Sequence, residues 1–121
     1  MSGPEAIEGI VAHGRELGRR IGFPTANLPV GEDVAAEDGV YASWAEVEGV
    51  RYRAMSNLGR NPSVGGCERR LETHLFGFAG SLYGRRLRVV LEHKIRDERC
   101  FGSVEELRAQ LARDKEYIQT L

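Results

Sequence analysis

Apolar and polar residues alternate along much of the first hundred positions, and the pattern switches to a helical period only near the C-terminus. Successive side chains of an extended strand point to opposite faces, so a period of two marks a half-buried strand. "AIEGIVAH" (Ala6–His13) carries this pattern and predicts a first strand. "GVYASWAEV" (Gly39–Val47) and "VRYRAMSNL" (Val50–Leu58) flank Glu48-Gly49, a tight-turn pair, and predict a hairpin. "RLETHLFGF" (Arg70–Phe78) alternates, "GSLYG" (Gly80–Gly84) is a turn, and "RRLRVVLEHKI" puts Leu87, Val89, Leu91 and Ile95 on one face.

The connections are equally legible. Gly14 to Pro24 is loop chemistry, dense in glycine and arginine; Leu28–Asp38 is a second irregular, acidic and exposed connection; "LGRNPSVGG" is a long loop punctuated by Gly and Pro. Ser103 followed by Glu106 forms a capping box ahead of Val104, Leu107, Leu111 and Ile118. That spacing predicts one amphipathic helix over Val104–Gln119. Five or six strands followed by one helix predict a small closed or nearly closed β-barrel with a helix packed on it.

Length and composition narrow the class. The 121 residues suffice for one domain, 1–121, and the 41% hydrophobic and 29% charged content is that of an ordinary globular chain. A formal net charge of −1 argues against a broad nucleic-acid footprint, while leaving room for a local phosphate grip. Lys94 and Lys115 are the only lysines, and neither follows a Gly-rich Walker pattern or stands in a V-A-I-K strand. A P-loop nucleotidase and a protein kinase are thereby excluded. Cys67 and Cys100 have no zinc or C-x-x-C spacing and read as free thiols of a reducing cytoplasm. No apolar run is long enough for a membrane span, and no signal pattern opens the chain.

"GFPTANL" (Gly22–Leu28) concentrates the candidate chemistry. Pro24 fixes its own φ and biases Phe23 toward extended geometry. In an extended Thr25-Ala26-Asn27, the Thr and Asn oxygens lie on one side, a pair suited to a hard cation such as Mg²⁺. Upstream, Gly14, Gly18 and Gly22 let backbone N–H groups approach an anion, with Arg15, Arg19 and Arg20 as guanidinium candidates for the same charge. Spacing alone favours the competing reading, a glycine-rich hairpin loop whose Thr and Asn make only local turn hydrogen bonds.

The stretch Gly9–Leu28, "GIVAHGRELGRRIGFPTANL", resembles the riboflavin kinase signature G-x-V-x-x-G-x-x-x-G-R-x-[LI]-G-[FI]-P-T-A-N without gaps. "SNLGRNPSVGG", "LETHLFGFAGSLYG" and "KIRDERCFGSVEELRAQLARD" resemble later family segments in order, so the likeness covers essentially the full chain. Ser63 and Val64 depart from the family's P-T-F loop, and no H-x-G-H nucleotidyltransferase motif is present. The sequence therefore fits either a free-standing kinase or the C-terminal module of a bifunctional flavin enzyme. The resemblance implies a mainly β fold, a six-stranded Greek-key barrel with a C-terminal helix. It also implies phosphorylation of riboflavin by ATP, with a divalent cation, Mg²⁺, to give FMN and ADP.

By the same resemblance, Glu72 of the E-x-H motif is the catalytic base, and alternation puts it opposite Leu71, Thr73 and Leu75. Thr25 and Asn27 are assigned to the metal and through it to ATP; Gly14, Gly18 and Arg19 to the phosphate loop; Tyr83 to the adenine side. Arg96 and Glu98 are assigned to the flavin end, with Asp97 beside them. His74 reads as a structural hydrogen-bonder, Trp44 as packing, and Leu107 and Leu111 as helix core able to line a wall of the flavin slot. The expected partners are the small molecules riboflavin and ATP, with no nucleic acid and no membrane, in a cytoplasmic monomer. Two alternatives remain at this stage: a non-catalytic flavin- or nucleotide-binding barrel, and an oligonucleotide-binding barrel. The near-neutral charge and the lack of interleaved aromatic and basic residues weigh against the second.

Overall fold

The computed structural model describes residues 5–12, 22–31, 34–60 and 69–121. Six strands, β1 (Glu5–Ile10), β2 (Ala26–Pro29), β3 (Gly39–Val47), β4 (Val50–Arg60), β5 (Arg69–Leu75) and β6 (Arg86–Arg96), precede one helix, α1 (Val104–Gln119). They form a single antiparallel sheet in the order β1-β6-β3-β4-β5-β2. Its two edges meet where the Ala12 N–H donates to the Asn27 carbonyl at 2.8 Å, so the sheet curls into a nearly closed barrel. Such closure removes the exposed edge that an open sheet would present.

The period-two pattern sorts two layers. Leu28, Leu58, Leu71, Leu87 and Val89 point into the barrel and are all but fully buried. The interior also holds a chain of hydroxyls, Ser43 to Ser56 and Ser56 to Thr73, each link 2.8 Å, so these buried polar groups satisfy one another. On the outer face, Val40, Ala42 and Met55 pack against Ile118 of α1 in a second, smaller cluster.

The β3–β4 hairpin turns at Glu48 and Gly49, whose φ values of 50° and 81° give the two-residue turn that matches strand twist. The helix occupies the span its pattern predicts. Ser103 accepts from the Glu106 N–H at 3.2 Å, and the Glu106 carboxylate reaches back to the N–H of Gly102 rather than to that of Ser103.

Several expectations change. β1 stops at Ile10, and β4 runs on through Gly59 and Arg60, the start of the expected long loop. β2 runs on through Leu28 and Pro29, because Leu28 has a core slot to fill and Pro29 ends a strand at the sheet edge, where its missing N–H costs little. The connection after it is not simply exposed: Val30, Val34 and Ala36 pack against the core. Arg69, itself buried, ties that connection down by donating to Asp38 at 2.8 Å and to the carbonyls of Val34 and Ala36. β5 ends at Leu75, three residues short of its alternation. Finally, Ile95 leaves the face of Leu87, Val89 and Leu91: register shifts opposite Ala42/Ser43 and Val40/Tyr41 insert extra residues into β6, and Ile95 joins the cluster that faces α1.

Candidate active site

Asn27 of β2 pairs with Glu72 of β5, and Glu72 pairs on its other side with Asn57 of β4. Directly paired residues project from the same face. Since Leu28, Leu71 and Leu58 fill the interior, this row of amide, carboxylate and amide lies on the outer face. Glu72, Asn57 and Thr25 line one wall of a cavity of about 590 Å³, together with Val40 and Met55. Leu107 and Leu111 of α1 form the opposite wall, and Arg96 with residues 98–101 closes one end. That size and mixed lining suit a small organic molecule.

The Thr25–Asn27 segment is held in place from both sides. Gly22 takes φ 92°, a left-handed value that other residues adopt at a cost, and turns the chain into Phe23 and Pro24. His74 Nδ1–H donates to the Pro24 carbonyl at 2.8 Å, and its ring meets Phe23 edge-on at 5.3 Å. Burial lowers the His74 pKa, with the Pro24 bond opposing, so the ring is a neutral tether, as a strand histidine read as structural should be. Ala26 packs into the barrel, while Thr25 faces the cavity. Asn27 is 3% exposed, and its Oδ1 is a buried oxygen without a hydrogen-bond partner among the described residues. Such an orphaned acceptor is costly unless something else meets it. Neutral oxygens of this kind fit a hard divalent cation. Among the described residues there is no cluster of three or more His, Cys, Asp or Glu that could cage a metal.

At the other end, Arg96 is clamped to α1: its Nη2 donates to Asp114 Oδ2 at 2.7 Å, its Nε lies 3.1 Å from the same oxygen, and its Nη1 donates to the Asp97 carbonyl at 3.1 Å. Glu98 turns back onto β4, where its carboxylate lies against Gly59 and accepts from Asn57. A Cβ at Gly59 would sit 2.4 Å from both Glu98 oxygens, so the seat exists only because position 59 is glycine. Burial raises the Glu98 pKa, reinforced by repulsion from Asp38 and Glu72.

Of the polar residues singled out from sequence, Thr25, Glu72, His74, Arg96 and Glu98 line the cavity, and Asn27, buried beside Glu72, does not. Tyr83 is exposed in a turn whose Gly84 N–H donates to Val11, and it does not line the cavity. Gly14, Gly18, Arg19 and the flanking Arg15 and Arg20 lie outside the described residues, as do Ser63, Val64 and Cys67; Cys100 is a free, exposed thiol at the cavity. Asn57, Gly59 and Asp114 also belong to this constellation: all three stand in the segments that resemble the family, "SNLGRNPSVGG" and "KIRDERCFGSVEELRAQLARD", but the sequence assigned them no role in the site.

The sequence matches the flavokinase family, riboflavin kinase, over residues 1–121. It is 50% identical over 115 residues to the bifunctional riboflavin kinase/FMN adenylyltransferase of Escherichia coli K12, which covers 93% of this chain and 36% of that protein. The Bacillus subtilis protein of the same description is 39% identical over 119 residues, covering 93% and 37%. The chain thus spans little more than a third of the length of these relatives. Among solved structures, a Streptococcus pneumoniae chain described as a macrolide-efflux protein superposes with a TM-score of 0.86 at 39% identity, covering 98% of this chain and 39% of that one. A riboflavin kinase from Trypanosoma brucei superposes at 0.68 with 21% identity, over 98% of this chain and 80% of that chain, which is a likeness of fold.

Proposed function

The chain belongs to the riboflavin kinase family, and from that membership we propose that it transfers the γ-phosphoryl group of ATP to the ribityl 5′-hydroxyl of riboflavin, giving FMN and ADP. The observation that carries this reading is the row Asn27–Glu72–Asn57: a carboxylate flanked in strand register by two amides, with Glu72 and Asn57 on the wall of a cavity of ligand size.

Phosphoryl transfer asks chiefly for positioning and for dispersal of charge. Glu72 orients the 5′-hydroxyl and accepts its proton as the O5′–Pγ bond forms and the bond from Pγ to the departing ADP oxygen breaks. Thr25 and Asn27 would hold Mg²⁺ through Oγ1 and Oδ1, and the unpartnered Oδ1 supports that assignment. When bound, the cation would supply neutralisation of phosphate charge. Gly14, Gly18 and Arg19 are assigned to the phosphates and Tyr83 to the adenine side. Arg96 and Glu98 are assigned to the flavin, whose flat ring fits the slot between Val40 and Met55 on the sheet and Leu107 and Leu111 on α1. The domain is 1–121, working as a cytoplasmic monomer on small molecules, without nucleic acid or membrane. Among the described residues, no helix is long and apolar enough to cross a membrane.

The test is incubation of the purified chain with riboflavin and Mg-ATP, followed by chromatography. FMN is expected. No FMN with any of several divalent metals and nucleoside triphosphates overturns the proposal.

A further inference from the structure

Asp114 is a buried carboxylate, its side chain 6% exposed, on a helix that also packs Leu111 and Ile118 against the sheet. It lies three residues past Leu111 and seven past Leu107, so it continues the helix face that lines the cavity. Its partner Arg96 comes from the last residue of β6, and that side chain is 17% exposed. The contact is a fork: Nε and Nη2 both address the carboxylate, at 3.1 Å and 2.7 Å to Oδ2 and 3.2 Å to Oδ1. Gln110 Nε2 donates to Oδ1 at 2.8 Å and fixes the carboxylate's rotation. The Gln110 carbonyl in turn accepts from Arg113 at 2.8 Å and Arg99 at 3.2 Å, which fixes which way round the amide stands.

A buried ion pair of this sort contributes little net stability compared with an apolar pair of the same volume. It does fix orientation, because the guanidinium is planar and a bidentate partner sets both its position and its plane. Asp114 takes the Nε–Nη2 edge and the Asp97 carbonyl takes one N–H of Nη1. One N–H on each of Nη1 and Nη2 is left, on a side chain that lines the cavity. The oxidised flavin ring carries carbonyl acceptors along one edge and no charge, so a fixed pair of donors is what would register it.

We propose that Asp114 is a positioning residue for flavin recognition: it holds the Arg96 guanidinium so that its remaining N–H donors face a carbonyl acceptor on the ring edge, and it ties the end of the slot that Arg96 closes to α1, one of the slot's walls. The inference rests on the riboflavin kinase reading. Asp114 does not itself line the cavity and reaches it through Arg96, at the end away from Thr25, so its effect should fall on the flavin and not on the nucleotide.

The test compares wild type with Asp114→Asn and Gln110→Ala by riboflavin fluorescence quenching, by steady-state KM and kcat for each substrate, and by thermal unfolding. Asp114→Asn should raise both Kd and KM for riboflavin about tenfold, the loss of one charge-assisted contact. KM for Mg-ATP should stay within about twofold, as fits a site the residue does not touch. Gln110→Ala should shift the same two constants in the same direction, by less. A folded Asp114→Asn protein with unchanged riboflavin affinity, or with equal losses for both substrates, overturns the inference and leaves the kinase reading intact. If Asp114→Asn does not fold, an unchanged riboflavin Kd in Gln110→Ala overturns it instead. A wild-type chain that neither binds nor phosphorylates riboflavin removes the kinase reading and this inference together.

Discussion

Glu72 and His74 leave β5 from the same face, two residues apart, yet their surroundings give them different work. Both line the cavity, but His74 is buried with its Nδ1–H spent on Pro24, whereas Glu72 is half-buried and flanked in register by two amides. Replacing Glu72 by Ala should lower kcat by about 10²–10⁴-fold, the usual worth of general-base assistance. Riboflavin binding, read by fluorescence quenching, should survive; near-wild-type turnover would remove Glu72 from the chemistry. His74 makes a prediction of a different kind. Its folded pKa is lowered from the ordinary value of 6.5, chiefly by burial, so the unfolded chain binds the proton more readily. Its contribution to stability is therefore complete above about pH 6.5 and is lost as pH falls through the window below it. Urea unfolding of wild type should weaken from about pH 7.5 to 5.5, and His74→Asn should flatten that slope. An identical slope in the variant would show that other groups carry it.

At the scale of elements, period and turn chemistry made the hairpin, the helix and the strand faces legible, because those depend on residues close in sequence. What escaped depends on register between distant segments. Asn57 flanks Glu72 only because β4 pairs with β5 in one register, and Asp114 meets Arg96 only because α1 folds back over the sheet. Ile95 changes sides because extra residues in β6 break a parity that counting along the chain assumes unbroken. The site was legible to the same extent: Glu72's face followed from alternation, but its neighbours did not. The helix start was the most explicit of these signals, and it carries its own prediction. Ser103 caps α1 by accepting from Glu106 and also lines the cavity. Ser103→Ala should cost about 0.5–2 kcal/mol in urea unfolding, the range for loss of an N-cap. Because α1 forms one wall of the slot, the riboflavin KM should rise with it. A full loss of stability with no change in KM would mean that the first turn of the helix takes no part in binding.

For the whole molecule, the decisive feature is that core and site occupy opposite faces of one sheet. Leu71 and Glu72 are neighbours in sequence, but Leu71 is 0% exposed inside the barrel while Glu72 looks outward to the cavity. Stability and chemistry should therefore separate. Leu71→Ala leaves a void in the barrel and should cost about 2–5 kcal/mol of unfolding free energy. The site is assembled on the outer surface from β2, β4, β5 and α1, and its register is set by backbone pairing that the truncation leaves in place. The folded fraction of Leu71→Ala should then turn over within about twofold of wild type, since the contacts made in the transition state are unaltered. Ligand linkage gives the converse. Riboflavin alone, at about 100 times its Kd, should stabilise the wild type by about 2.7 kcal/mol and Leu71→Ala by the same amount. Both increments are read as the shift in unfolding free energy on adding ligand. A much smaller increment in Leu71→Ala would show that packing inside the barrel sets the shape of the cavity outside it, and that the two faces of the sheet are one mechanical unit.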